Sequence, residues 1–332
     1  VHFVAVIVPA VLLTLPGTAD TIAPETHLTE PVVSGQQQIP ELRLGLAMWS
    51  HNQWQRSLYG KGTPQAERLA HYAEVFNTVE GNTSFYATPS ANNVSNWRDA
   101  VGEDFRFTFK LPQEITHKLQ LRHCDDELKQ FLQVMSPLFA KTGLWKIQLP
   151  GYFGPDALGT LNTFLGKLPS ELPLGVEVRH PAFFAKGETE RQLNRLLLQR
   201  SVNRIIMDTR PVFAAPPNSA AVIDAHEKKP RVPVHAIATG RYPTVRFIGH
   251  PELEVNQGFF KPWLDKLCQW LEEGRQPYLF IHTPDNAQAP ELAISLQRLL
   301  SDRWQAKHGQ PLAVLQQPQD ARNHSKQLGL EL

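Results

Sequence analysis

Glu177, Arg179 and His180 stand within the segment LGVEVRHPAFF, residues 174–184, which begins as an apolar strand of Leu, Gly and Val. A carboxylate can take up or release a proton, a guanidinium can hold an anion, and an imidazole can shuttle protons near neutral pH. The pattern recurs along the chain: Glu80 and Asn82 follow Val79, Lys110 closes FRFTFK, Gln148 lies in WKIQL, and Asp208 closes RIIMD. Arg246 and His282 occupy comparable places in VRFIG and FIHT. Two glutamates on separate strands suit general acid/base catalysis if one carboxyl is protonated while the other is ionised, as glycoside hydrolysis and many proton transfers require. Glu80, Glu177, Lys110 and Asp208 are therefore the candidate catalytic residues. Trp49, Asn82, Tyr86, His117, Gln148, Arg179, His180, Arg246 and His282 are candidate substrate contacts, with Trp49, Phe85 and Tyr86 offering a flat apolar wall.

Two other chemistries use the same residues. Glu177, Asp208, His250 and His282 are oxygen and nitrogen donors suited in type to a divalent ion, although no short spacing such as H-x-x-x-H accompanies them. No motif demands a cofactor. A charged mouth can also simply capture a small polar metabolite or nucleotide without turning it over. Strand-borne Glu, Lys and Arg favour turnover, because static capture has little use for opposed carboxylates. The first expectation is an enzyme that acts on a small polar or anionic substrate, with hydrolysis of a glycosidic or ester bond as the leading reaction.

Such residues need a scaffold that brings strand ends together. Apolar strand cores at residues 42–48, 78–82, 105–110, 144–149, 174–179, 204–208, 245–249 and 278–283 alternate with segments of helical period, a pattern that calls for a parallel sheet covered by helices. Leu69, Tyr72, Ala73 and Phe76 share one helix face, as do Leu128, Phe131, Leu132, Met135 and Phe139. Later, Leu158, Leu161, Leu165 and Leu168 form a third such face, and the helix carrying Phe260, Trp263, Leu267 and Trp270 is closed by Gly274. The sixth connection is the least regular, with one short helix and a Pro-rich loop. Eight strand-then-helix units predict a single (β/α)₈ TIM-like barrel over residues 41–303.

Within the strands, Phe105, Phe107 and Phe109 alternate with Arg106, Thr108 and Lys110; Leu174, Val176 and Val178 alternate with Gly175, Glu177 and Arg179. Helices must cover the apolar face, so the polar face is expected to point into the barrel. Continuing that register places Trp49, Asp208, Arg246 and His282 inside as well. Arg43, Arg106 and Arg204, near strand starts, are expected to stabilise the opposite end.

Thirty-three Lys and Arg against 32 Asp and Glu give no broad field for a polyanion, so nucleic acid finds no support as a partner. Nothing in the composition identifies a protein partner. The basic run EKKPRVPVH, in a Pro-rich connection, is read as a solvated loop. Cys124 and Cys268 are too few for a disulfide framework or thiolate cage and are read as reduced helix residues of a cytoplasmic protein. The apolar run near Val1 is interrupted by Pro9 and too short to span a bilayer. It is read first as a start placed too far upstream and second as a signal sequence. Residues 1–40 and 304–332 are expected to be disordered or irregular extensions outside the fold.

The motifs VEGNTSFYATPS, FKLPQEITH, QLP, GVEVRHPAFF and LRHCDDEL together resemble the YecE-like family, also called domain-of-unknown-function family 72, and the similarity runs from about Leu44 to Leu300. That resemblance implies a TIM-like barrel and supplies no reaction, cofactor or catalytic residue. The last loop, FIHTPDNAQAPEL, departs from the Asn-rich form expected there, which weakens the case for Asp285, Asn286 and His282.

Overall fold

The computed structural model describes residues 41–312. Its strands are β1 (Arg43–Leu46), β2 (Thr78–Gly81), β3 (Arg106–Lys110), β4 (Thr142–Gln148), β5 (Leu174–Glu177), β6 (Asn203–Asp208), β7 (Thr244–Ile248) and β8 (Tyr278–His282). They pair in parallel in chain order, and β8 pairs with β1 to close the barrel. After each strand a helix returns the chain to the other end: α1 (Arg68–Val75), α2 (Ala91–Asp99), α3 (Asp125–Met135), α4 (Leu158–Leu165), α5 (Glu188–Gln199), α6 (Ala220–Lys228), α7 (Val255–Glu272) and α8 (Ala289–His308). The (β/α)₈ architecture expected from the alternation is the one observed.

Helix faces of apolar period meet the outward strand residues. α3 buries Leu128, Phe131 and Met135, and Phe131 stands edge-on to Trp145 of β4 at 5.8 Å between ring centroids. α7 does the same through Phe260, edge-on to Phe247 of β7 at 5.5 Å. Each such side chain removed from water contributes about 1.5–3 kcal/mol, which fixes the outward direction of Phe107, Phe109, Trp145, Val176 and Phe247. α7 stops where Gly274 takes a left-handed φ of 72°, as its position after the periodic residues predicts. Chain after α6 runs from Lys229 to Pro243 without helix or strand, in keeping with the irregular sixth connection.

The core continues past residue 303. α8 ends at His308, and Trp304 and Leu312 are buried. The readings made of residues 1–40 and of the chain after 312 lie outside the described residues.

Inside the barrel, Glu80, Lys110, Lys146, Glu177 and Arg246 are all buried, as is His282. An irregular register between β3 and β4 leaves Gly143 opposite no residue, and a Cβ there would lie 2.0 Å from the phenol oxygen of Tyr278. Of the arginines near strand starts, Arg43 donates to the Asp104 carbonyl at 2.5 Å and pairs with Glu41, while Arg204 turns outward. β6 reverses the expected alternation, because Met207 is the register partner of Arg246 and Asp208 that of Phe247. Met207 therefore faces the interior and Asp208 the helix layer.

Candidate functional site

Strands β2, β3, β4, β5, β7 and β8 deliver inward residues to a cluster beneath the C-terminal mouth, the end where (β/α)₈ barrels build their sites. Arg246 is its centre. Its Nε and Nη2 donate to Glu80 Oε1 and Oε2 at 2.7 and 3.1 Å, while Nη1 donates to Glu177 Oε2 at 2.9 Å. Lys146 Nζ donates to Glu80 Oε1 at 2.7 Å, and Arg179 grips Glu177 Oε1 through Nε at 3.0 Å and Nη2 at 2.7 Å. Glu80 and Glu177 thus stand on opposite sides of a single guanidinium.

These contacts set the ionisation. Burial raises the pKa of both glutamates, but the positive groups around them prevail: Arg246 and Lys146 hold Glu80 well below the usual carboxylate range, and Arg246, Arg179 and Lys110 do so for Glu177. Both carboxylates stay ionised, so the expected division into one protonated acid and one ionised base is not supported by their surroundings. The amines differ more. Burial pushes Lys146 down to about 8, with Glu80 acting in the opposite direction. Lys110 has a neutral partner, donating to Gln148 Oε1 at 2.7 Å, with its Nζ 5.5 Å from the Phe85 ring centroid. Burial and the neighbouring charge of Arg246 lower its pKa well below that of an ordinary lysine.

Above the network opens a cavity of about 790 Å³ lined by Ala47, Trp49, Glu80, Asn82, Phe85, Tyr86, Lys110, Gln113, His117, Gln148, Arg179, Lys229, Arg246, His282 and Asn286, among others. Asn82 donates to the Ala47 carbonyl at 2.7 Å, and its Oδ1 meets no hydrogen-bond donor among the described residues. His282 Nε2 lies 3.2 Å from Glu80 Oε2 but is not aligned for a hydrogen bond. Burial lowers its pKa to about 3, leaving a neutral imidazole. His117 Nδ1 is 2.8 Å from Thr116 Oγ1, and burial followed by Arg179 lowers its pKa too. Trp49 borders the cavity while its ring packs edge-on against Trp97, and Tyr86 stands exposed at the rim.

Three residues expected at the site lie elsewhere. Asp208 accepts from Trp263 Nε1 of α7 at 2.8 Å and pairs with Arg210 at 2.6 Å, because the β6 register turns it to the helix layer. His180 caps a short 3₁₀ turn, its Nδ1 accepting from the Ala182 amide at 3.2 Å. His250 likewise accepts from the Glu252 amide at 3.0 Å. The metal set of Glu177, Asp208, His250 and His282 is therefore not assembled, and among the described residues no three His, Cys, Asp or Glu side chains converge to hold an ion.

Conversely, Lys229 lines the cavity although its basic run reads as a solvated loop. Burial and Arg246 push it down to about 8. Its signal was position: it follows the last turn of α6, where the chain crosses the mouth. Lys146 was legible from strand alternation. Gln113 follows Lys110 in the motif FKLPQEITH without a periodicity to single it out.

A family model described as "Protein of unknown function DUF72" matches residues 43–318. UPF0759 protein YecE of Escherichia coli K12 is 51% identical over 253 residues, covering 76% of this chain and 90% of that protein. The same protein of Escherichia coli O157:H7 matches to the same extent. Among solved structures, a DUF72 family protein of Enterococcus faecalis V583 superposes with a TM-score of 0.60 at 21% identity, over 79% of this chain and 98% of its own. One from Thermotoga maritima MSB8 gives 0.60 at 21%, over 78% and 99%. These likenesses show the fold.

Proposed function

The chain belongs to the DUF72 family, whose description assigns no reaction, and on that premise we propose from the cavity itself an enzyme that acts on a small anionic substrate by proton transfer, with Lys110 as the base. The carrying observation is the charge balance of the mouth. Two carboxylates, Glu80 and Glu177, face the cationic side chains Lys146, Arg179, Lys229 and Arg246, with the Lys110 amine beside them. Among the described residues neither Lys110 nor Lys229 has a carboxylate within ion-pair distance, whereas Lys146, Arg179 and Arg246 do. Charge left unmatched in a concave site favours a ligand of opposite sign. Arg179 and Lys229 are placed to hold the anion, Asn82 and Gln148 to orient it, and the depressed pKa of Lys110 makes a neutral amine available as a base.

Hydrolysis led by a carboxylic acid receives less support, because both glutamates are held ionised. They act on this reading as fixed negative groups that keep Arg246 and Lys146 in place. Free, buried thiols at Cys124 and Cys268 support a cytoplasmic setting. Among the described residues no helix is long and apolar enough to cross a membrane.

The test has a binding and a chemical arm. Oxalate and inorganic phosphate should raise the melting temperature at pH 7, and less so in Lys229→Met. The effect should fade as pH rises through about 8, where Lys229 loses its proton. Small anionic carbon acids should exchange C–H for deuterium in D₂O, observed by NMR, and Lys110→Met should abolish the exchange. Stabilisation by neutral polyols but not by anions would sink the reading.

A further inference from the structure

A neutral amine that can serve as a base can also serve as a nucleophile, and the surroundings of Lys110 point to the second use. We infer that Lys110 Nζ forms an imine with its substrate, which must then be a small aldehyde or ketone carrying an anionic group. This rests on the anion-binding enzyme proposed above, narrows its substrate class, and turns the Lys110 amine from base to nucleophile in one bond.

Comparison of two interior lysines carries the inference. Lys146 points into the barrel one strand away and is held by Glu80 at 2.7 Å, so its charge has a buried counterion and its lone pair is engaged by a proton. Lys110 has only the amide oxygen of Gln148, which takes a single N–H and is content with either protonation state. The Phe85 ring covers one flank of the ammonium, while Arg246 and Lys146 add positive charge nearby. A lysine desolvated beside other cations is the arrangement that activates an amine as a nucleophile. The remaining side of Lys110 opens to the cavity.

The cavity also offers polar atoms that make no aligned hydrogen bond to the protein, although Glu80 Oε2 lies 3.2 Å from one of them. His282, buried to 2% exposure, presents Nε2, and Asn82 presents Oδ1; neither finds a hydrogen-bond partner among the described residues. A carbonyl compound would supply what both lack, through its oxygen and the water formed from it. His117, also lining the cavity, is a neutral imidazole available to carry protons. In the step itself the Nζ lone pair attacks the carbonyl carbon and the C=O π pair moves to oxygen. Both amine hydrogens then leave with that oxygen as one water, and the C=N bond remains. No oxidant or reductant takes part.

The test uses the full chain and two probes, glyoxylate as an anionic aldehyde and propanal as a neutral one, each trapped at pH 7 with sodium borohydride and mapped by peptide mass spectrometry. Surface lysines, titrating near 10.4, present about one neutral amine in a few thousand at this pH. Glyoxylate should therefore label Lys110 at least roughly 10-fold faster than any exposed lysine. Arg179→Gln should slow labelling by glyoxylate and spare that by propanal. Label spread over surface lysines, or concentrated on Lys229 or Lys146, would overturn the inference. If oxalate and phosphate still stabilise the protein in that case, the anion-binding function stands and only the imine falls. If they do not, both fall. Because the wild-type label map gives the answer, it does not depend on any variant folding.

Discussion

Replacing Arg246 by methionine tests whether the ion network is the foundation of the mouth. Methionine fills much of the aliphatic space of arginine without its charge. The change removes three hydrogen bonds, two to Glu80 and one to Glu177. Deleting one partner of a buried ion pair costs about 3–5 kcal/mol, because a charge is left in a low-dielectric site. Here each carboxylate keeps one cation, Lys146 or Arg179, both at 2.7 Å, so the lower end of that range applies, about 3 kcal/mol. At about 2–4 °C per kcal/mol for a large domain, the melting temperature should fall by roughly 6–12 °C.

The pH dependence makes this prediction specific. In the wild type, Glu80 and Glu177 have folded pKa values below their unfolded value near 4.3, so their contribution is present above that pH and is lost as pH falls through the folded values. In Arg246→Met the largest depressing charge is gone while burial persists, and the carboxyl pKa values move upward. The variant then gains less, or loses, as pH rises past 4.3. Circular-dichroism melts from pH 4 to 8 should show the gap between the two proteins widening toward neutrality. A gap equal at pH 4.5 and 7.5, or a melting temperature within about 2 °C of wild type, would refute the account of Arg246 as a buried charge bridge.

Two further substitutions separate scaffold from site. Asp208→Asn weakens the contact with Arg210 and keeps an acceptor for Trp263, so it should destabilise by about 1–3 kcal/mol in urea unfolding yet leave oxalate stabilisation unchanged. An altered response to oxalate would put Asp208 back in the site. Gly143→Ala drives a methyl group to 2.0 Å from the Tyr278 oxygen and should cost about 1–3 kcal/mol, with Tyr278→Phe recovering part of the loss in the double variant. Simple additivity of the two changes would show that the phenol is not what the glycine accommodates.

The barrel was legible because helix and strand periods are properties of short windows, and eight successive windows agreed. Most of the interior was legible for the same reason: Phe107 against Thr108, or Val176 against Glu177, states which side a helix must cover. Asp208 was misplaced because β6 reads Arg204, Ile205, Ile206, Met207, Asp208, with apolar residues at both parities. Only pairing with β7 decides that Met207 faces inward, and Trp263, distant in sequence, with Arg210, just past the strand's end, supplies what Asp208 needs outside. Lys229 was hidden for the opposite reason. Its neighbours are those of a loop, and nothing local says that this loop crosses the mouth. The ionisation of the glutamate pair was illegible too, since it depends on one arginine reaching both from a third strand.

That arginine explains how a barrel can hold so much charge and still leave some of it for a ligand. Glu80 and Glu177 neutralise Arg246, Lys146 and Arg179 only in part, and each carboxylate already accepts three hydrogen bonds from those cations. Two carboxylates already bridged to Arg246, Lys146 and Arg179 leave Lys229 without a counterion of its own. The remaining positive charge therefore lies where the interior opens to the cavity, and a group held rigidly there needs little reorganisation when an anion arrives. Loss of either glutamate would free cations that the fold now holds, making the mouth more positive but less ordered. Binding of oxalate to Glu177→Gln should accordingly remain while discrimination between anions of different shape declines, because the positions of Arg179 and Arg246, more than their charges, set that discrimination.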